Sequence, residues 1–211
     1  MGFDLDMTLI DTRPGFAACL VALGEEIGVE FDVATLVERL GPPLDLMLAP
    51  YFPEADEAFL SGLVDRFREL YPELAVPPTQ AFPGAHEALA AVRSHEGSTL
   101  VITGKYEPNA RLHADALGFD VDRIVGSVWG PGKGPVLVEH GASVYVGDHV
   151  HDVEGALAAG IHSVSVLTGG CDEQELVAAG THTVLPDLRA FPAWFSEHLL
   201  VEREQQELGS R

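Results

Sequence analysis

From residue 85 onward the sequence alternates short apolar runs with stretches of helical periodicity, and that alternation admits few folds. The runs Ser98–Thr103, Ile124–Trp129, Ser143–Gly147, Ser163–Leu167 and Thr181–Leu185 have the length and β-branched content of strands. Between and around them, apolar residues recur at three- and four-residue spacing over Ala85–Ser94, Pro108–Leu117, Pro135–His140, Asp152–Ala159 and Glu173–Ala179. Gly118, Gly141, Gly160 and Gly180 fall just past four of these helices, where a left-handed cap favours glycine. Strands separated by helices cannot pair as hairpins. The pattern therefore predicts an α/β fold, a doubly wound, Rossmann-like parallel sheet. Met1–Leu5 supplies one more strand, and with only three residues before Asp4 it is expected to make few ladder hydrogen bonds.

Residues 14–83 break the rhythm. Pro14–Gly28, Val33–Leu40, Leu44–Tyr51 and Glu54–Tyr71 read as helices, punctuated by Gly41-Pro42-Pro43 and Pro77-Pro78. The expected organisation is an α/β core formed by residues 1–13 and 84–211, with residues 14–83 inserted as an all-helical unit. An insertion at the carboxyl end of a strand projects over the edge where open α/β sheets bind ligands. It is placed to act as a lid.

Composition narrows the partners. The chain carries 33 acidic and 12 basic residues, a formal charge of −21, yet 46% of it is hydrophobic, enough for a buried core. Phosphate backbones and anionic lipid surfaces are gripped by Lys and Arg, so neither nucleic acid nor a membrane surface is expected as partner. Cys19 and Cys171 form no CxxC spacing and read as two buried thiols. With no leader-like opening and no long apolar run, the expected location is cytoplasmic, as a monomer or homodimer. The segment Trp194–Leu208, rich in Glu202, Glu204 and Glu207, reads as a solvated helix.

Two acidic pairs follow strands: Asp4-Leu5-Asp6 after the first run, and Asp148 with Asp152 after Ser143–Gly147. Thr103 ends another strand, and Lys133 lies in a Gly-rich loop before helix Pro135–His140. Four strand-to-helix loops thus present polar groups at one edge of the predicted sheet. Carboxylates clustered there repel one another and call for a cation, and an all-oxygen ligand set suits a hard one such as Mg²⁺.

Taken in order, FDLDMT at 3–8, VIT at 101–103, GKG at 132–134 and GDHVHD at 147–152 resemble the motifs of the haloacid dehalogenase (HAD) superfamily. The likeness is to its phosphatase branch, in particular the phosphoglycolate phosphatase-like group, whose helical C1-type cap sits where residues 14–83 do. The resemblance implies a Mg²⁺-dependent phosphatase acting on a small phosphorylated metabolite. It implies Asp4 as the nucleophile that forms an aspartyl-phosphate, and Asp6 as the acid that protonates the leaving alcohol and then deprotonates water. It places Thr8, Thr103, Gly104 and Lys133 at the phosphoryl group, and Asp4, Asp6 (through its carbonyl), Asp148 and Asp152 at the metal, with Asp152 orienting a metal-bound water or pairing with Lys133. The acid role predicts an Asp6 pKa raised by acidic neighbours and burial. Met7 stands where the family commonly has glycine, and Gly104 where it often has asparagine.

The only other lysine, Lys105, reads as a solvent-facing residue, and Lys133 is the preferred phosphate ligand. His149 and His151 bracket the acidic loop without being needed as ligands, Arg39, Arg66 and Arg68 read as solvated, and Gly41-Pro42-Pro43-Leu44 resembles the family's specificity loop. Alternatives to hydrolysis are a phosphomutase of the β-phosphoglucomutase type and a receiver-like phospho-signalling or binding module without turnover.

Overall fold

The computed structural model describes residues 1–209, with side chains through Val201; Glu202, Glu204 and Glu207, read above as a solvated face, lie outside the described side chains. In chain order the elements are β1 (Gly2–Phe3), β2 (Ile10–Asp11), α1 (Arg13–Ile27), α2 (Val33–Glu38), α3 (Leu44–Leu48), α4 (Glu57–Leu74), β3 (Gln80–Ala81), α5 (Ala85–Ser94) and β4 (Leu100–Ile102). There follow α6 (Glu107–Leu117), β5 (Arg123–Val125), α7 (Lys133–Glu139), β6 (Val144–Gly147), α8 (Val150–Ala159), β7 (His162–Val166), α9 (Glu173–Ala178), β8 (Thr183–Leu185) and α10 (Phe191–Gly209). The main sheet runs β5-β4-β1-β6-β7-β8, and every pair in it is parallel.

Side-chain alternation assigns the two faces of the sheet. Val101, Val144 and Val146 join Phe3, Leu5 and the inner sides of α5, α6 and α10 in one apolar cluster. Leu100, Ile102 and Tyr145 point the other way, against Leu137 of α7 and Ala156 of α8. β1 is only two residues long, yet it is central, pairing with β4 on one side and β6 on the other. The Asp4 N–H extends this pairing by donating to Val146 O at 2.8 Å. Because the strand order reverses about β1, the carboxyl ends of β1 and β6 flank the crevice where such sheets take ligands.

The helices of residues 13–74 have a core of their own, with Phe16, Leu20, Leu23, Leu48, Phe67 and Tyr71 buried together. Asp32 and Asp56 cap α2 and α4 by accepting from Thr35 N and Phe59 N. The chain leaves the sheet through β2 and returns through β3, and these two pair antiparallel, Ile10 with Ala81 and Asp11 with Gln80. This junction is absent from the sequence reading because two-residue strands carry no period. Other boundaries also move. The strand expected at Ile124–Trp129 stops at Val125, where Gly126 packs against the backbone of Glu107 and Ser127 takes φ 59°. Lys133, expected in a loop, is the first residue of α7. Cys19 is buried, whereas Cys171 is half-buried, and both are free thiols. Among the described residues no helix is long and apolar enough to cross a membrane.

His162 stacks on His182 and contacts His198, ring centroids 4.7 Å apart in both cases. Burial, with the two neighbouring imidazoles, lowers its pKa to about 4. Burial likewise lowers buried His113 to about 4, with Lys105 adding to the effect. Both folded values lie below the unfolded value of about 6.5, so between those limits the unfolded chain binds protons that the folded chain does not. These two histidines therefore contribute a loss of stability as pH drops from about 6.5 to about 4, opposed over that range by the buried carboxyls of Asp4 and Asp148, whose pKa values are raised. Thermal melts of the protein and of His162→Gln across that window check it, and on acidification the variant should lose less stability than the unaltered protein.

Candidate active site

The site is built from backbone turns at the carboxyl ends of β1, β4 and β6 and from the start of α7. Asp4 leaves β1, and the chain then turns so sharply that Met7 takes φ 61°, a left-handed conformation costing a non-glycine residue on the order of 1 kcal/mol. That turn is held by Met7 N–H donating to Ile10 O at 2.8 Å and by the Thr168 hydroxyl donating to Met7 O at 2.6 Å. It brings Asp6 back toward the sheet edge. A glycine would adopt this φ without strain.

Asp4, Asp148 and Asp152 are all buried, and one carboxylate oxygen from each lies within 4.8 Å of the others. Lys133 enters this group from the first turn of α7. Its Nζ is 2.7 Å from Asp4 Oδ1 and 2.6 Å from Asp152 Oδ1, and it donates to Tyr145 Oη at 2.9 Å. Tyr145 Oη in turn donates to Ile102 O at 2.8 Å. All three ammonium protons are thus placed. Asp152 Oδ2 accepts from the backbone N–H groups of Asp148 and His149, which fixes the loop after β6. Both oxygens of Asp152 are committed, so it supports Lys133 and the loop. Thr8, buried, donates to Asp148 Oδ1 at 2.8 Å, so its hydroxyl serves that carboxylate and does not face the cavity.

The charges follow from burial and partners. Burial pushes the Asp4 carboxyl up to about 7, with Lys133 opposing and Asp152 and Asp6 adding. Asp148 is pushed well above the ordinary aspartate value by burial, then by Asp152 and Asp4. Burial pulls the Lys133 ammonium down, but Asp152 and Asp4 outweigh it and hold the pKa well above the usual lysine value. One ammonium does not neutralise three buried carboxylates. An all-oxygen donor set short of positive charge suits a hard divalent cation, held most directly by Asp4 and Asp148.

Asp6 departs from expectation. Burial does push it up, but the Lys105 ammonium 2.9 Å from Oδ1, followed by His113 and Thr12, leaves its pKa below the ordinary value. The expected upward shift is corrected: its strongest neighbour is a cation. Lys105 is correspondingly not solvent-facing, its side chain being 11% exposed. Thr103 Oγ1 lies 3.5 Å from Asp6 Oδ2 and accepts from Lys105 N–H at 3.1 Å.

A cavity of about 180 Å³ opens above these groups. Its floor includes Asp4, Asp6, Thr103, Gly104, Lys133 and Asp148, and its roof comes from the helical segment, including Gly41, Pro42, Pro43, Met47, Phe67 and Arg68. A Cβ on Gly104 would meet only ordinary contacts, the nearest 3.5 Å away on Trp129. Of the three arginines considered, Arg66 is engaged by Glu26 and Glu69, whereas Arg68 lines the cavity, pairs with Asp65 and lies over the Tyr106 ring. Arg39 is not among the lining residues. His149 and His151 stack on each other at the cavity wall, and neither belongs to the acidic cluster. Sequence reasoning missed Lys105, Tyr71 and Tyr145. Only for Tyr145 was a signal present, since strand alternation turns it toward α7.

The model of the haloacid dehalogenase-like hydrolases matches residues 1–157, and a second HAD-like hydrolase model matches residues 136–191. A phosphoglycolate phosphatase of Xylella fastidiosa is 30% identical over 79% of each chain. A 5′-nucleotidase of Pseudomonas aeruginosa is 28% identical over 93% of this chain and 95% of its own. A haloacid dehalogenase-like hydrolase from Streptococcus pneumoniae superposes with a TM-score of 0.78 at 23% identity, over 92% of this chain and 96% of that one.

Gly169 faces Asp148 so closely that an added Cβ would collide with the carboxylate. Gly169→Ala is therefore expected to displace Asp148 and lower divalent-cation affinity by about tenfold or more, measured by titration calorimetry. Unchanged affinity would show that Asp148 holds no cation. Lys133→Met leaves buried carboxylates unpaired and is expected to destabilise the metal-free protein by about 3–5 kcal/mol in denaturant unfolding.

Proposed function

The chain belongs to the haloacid dehalogenase-like hydrolases, and from that premise we propose that it is a phosphatase hydrolysing a small phosphomonoester through a phosphoryl group carried on Asp4. The observation that carries this reading is the convergence of Asp4, Asp6, Lys133 and Asp148 on the floor of one cavity. Asp4 Oδ attacks phosphorus, the bond from phosphorus to the leaving oxygen breaks, and Asp6 delivers the proton that the departing alkoxide needs. Water then attacks the phosphoryl group, Asp6 takes its proton, and the bond to Asp4 breaks to release inorganic phosphate. Because Lys105 favours the ionised form of Asp6, the proton for the first step enters with the substrate, whose phosphoryl group has a second pKa of about 6.

Lys133 already spans Asp4 and Asp152, which puts its ammonium beside the phosphoryl oxygens once Asp4 reacts. The Thr103 hydroxyl and the backbone around Gly104 complete that cradle. A divalent cation, Mg²⁺ by its fit to hard oxygen ligands, would be held by Asp4, Asp148 and the Asp6 carbonyl, and when bound would offset charge between the nucleophile and an anionic substrate. Residues 14–83 act as a cap in this reading, closing over the floor to exclude water while the leaving group departs.

Purified protein is expected to release inorganic phosphate from p-nitrophenyl phosphate and from alkyl phosphomonoesters in Mg²⁺. Asp4→Asn should lower that rate by about 10³-fold or more, and EDTA should abolish it. Failure of the unaltered protein in Mg²⁺ to hydrolyse any phosphomonoester would overturn the proposal. Phosphoryl transfer to a sugar with little free phosphate would replace it with the mutase reading.

A further inference from the structure

A buried polar chain runs from Lys105 away from the reacting groups into the helical segment. Lys105 Nζ, ion-paired to Asp6 Oδ1 at 2.9 Å, also donates to Tyr71 Oη at 2.6 Å. Tyr71 Oη lies 3.0 Å from His113 Nε2. Tyr71 is 2% exposed and His113 fully buried. Burying polar groups without partners is costly, and a lysine ammonium can only donate, so the Tyr71 oxygen accepts from Lys105. With its pKa near 4 the His113 imidazole is neutral. Its Nε2 can then accept from the Tyr71 hydroxyl, leaving the Tyr71 oxygen to accept from Lys105.

The three residues come from different parts of the fold. Lys105 follows β4, His113 lies on α6, and Tyr71 comes from the last turns of α4 in the helical segment. Among the described residues, apart from the local Arg13–Asp11 pair at the junction, the side-chain hydrogen bonds that join residues 13–79 to the α/β part run through Tyr71. Its ring is fixed beside Phe67, centroids 5.8 Å apart, so its hydroxyl moves with α4. Asp6 is held on one oxygen by the Lys105 ion pair and on the other by the distant Thr103 hydroxyl, with the Thr12 hydroxyl beside the carboxylate.

We propose that Lys105 is a positioning residue for Asp6 and that Tyr71 sets its place, so that the seating of the helical segment is transmitted to the acid–base carboxylate along Tyr71–Lys105–Asp6. The proposal rests on Asp6 acting as acid and base. A lysine tethered only to Asp6 has four rotatable bonds with which to follow it. Tethered also to Tyr71, it holds the carboxylate toward the leaving oxygen when α4 is seated and releases it when α4 is not.

Leaving-group dependence separates positioning from general damage. An alkoxide needs the proton that Asp6 supplies, whereas p-nitrophenolate leaves without it, and kcat/KM reports the step in which the leaving group departs. Tyr71→Phe keeps the ring and removes the hydroxyl. It is expected to lower kcat/KM for an alkyl phosphomonoester such as glycerol phosphate about tenfold or more, while changing that for p-nitrophenyl phosphate less than about twofold. Lys105→Gln should give the same signature, and the double variant should lose no more than Lys105→Gln alone. Equal losses on both substrates, or none on either, in variants whose thermal melts show a folded protein would overturn the proposal. Asp6→Asn serves as the reference. If it too spares the alkyl substrate, the acid–base reading has failed and this inference with it; if it shows the leaving-group dependence and the other variants do not, this inference alone has failed.

Discussion

The site depends on one buried cation. Lys133 lies between Asp4 and Asp152, with its third proton on Tyr145. Without it the sheet edge would gather aspartates that repel each other in a medium too poorly polar to screen them. Several details of the fold serve that placement. The 3₁₀ turn Gly130–Gly132 delivers Lys133 as the first residue of α7. Gly155 lets α8 approach until a Cβ would stand 3.0 Å from Lys133 Cβ. The buried hydroxyl of Tyr145 is tied down by Ile102 O, so it accepts from Lys133 in a fixed direction. In the proposed reading a structural lysine and a phosphate-binding lysine are the same residue. Its ion pairs hold the floor together and keep its ammonium 2.7 Å from Asp4 Oδ1.

The second lysine sets the two neighbouring carboxylates apart in acidity. Asp4 and Asp6 stand two residues apart on one turn, yet their pKa values move in opposite directions, Asp4 upward by burial and Asp6 downward because Lys105 outweighs burial. Two acids that begin chemically alike are thus made unlike, because Lys105 outweighs burial at Asp6 while burial outweighs Lys133 at Asp4. Lys133 arrives from within the α/β part, whereas Lys105 is shared with a helix of the inserted segment.

What the sequence showed and what it hid follow from range. Strand runs such as Ser143–Gly147 were legible because alternation across a two-faced sheet is a local pattern. The residues Asp4, Asp6, Thr103, Lys133, Asp148 and Asp152 were legible because strand ends in a parallel sheet share one edge. Which oxygen each group faces was not legible, since that is decided by contacts between residues distant in the chain. Lys105 is the clear case: nothing adjacent to it signals burial, and its place follows from Tyr71, thirty-four residues earlier on α4. Thr8, bonded to Asp148 across the crevice, was hidden for the same reason.

The central place of β1 has a consequence for how the molecule assembles. Phe3 pairs beside Val101 on one side and Val146 on the other, so β1 has no partner until β4 is made and is flanked on both sides only once β6 follows. Such distant pairings carry the entropy of closing long loops and slow a fold's formation. The helical segment, with its own apolar cluster built from nearby residues, faces no such delay. During synthesis the roof is positioned to form while the floor still waits for its last wall, and β1 spends that interval as an unpaired apolar strand.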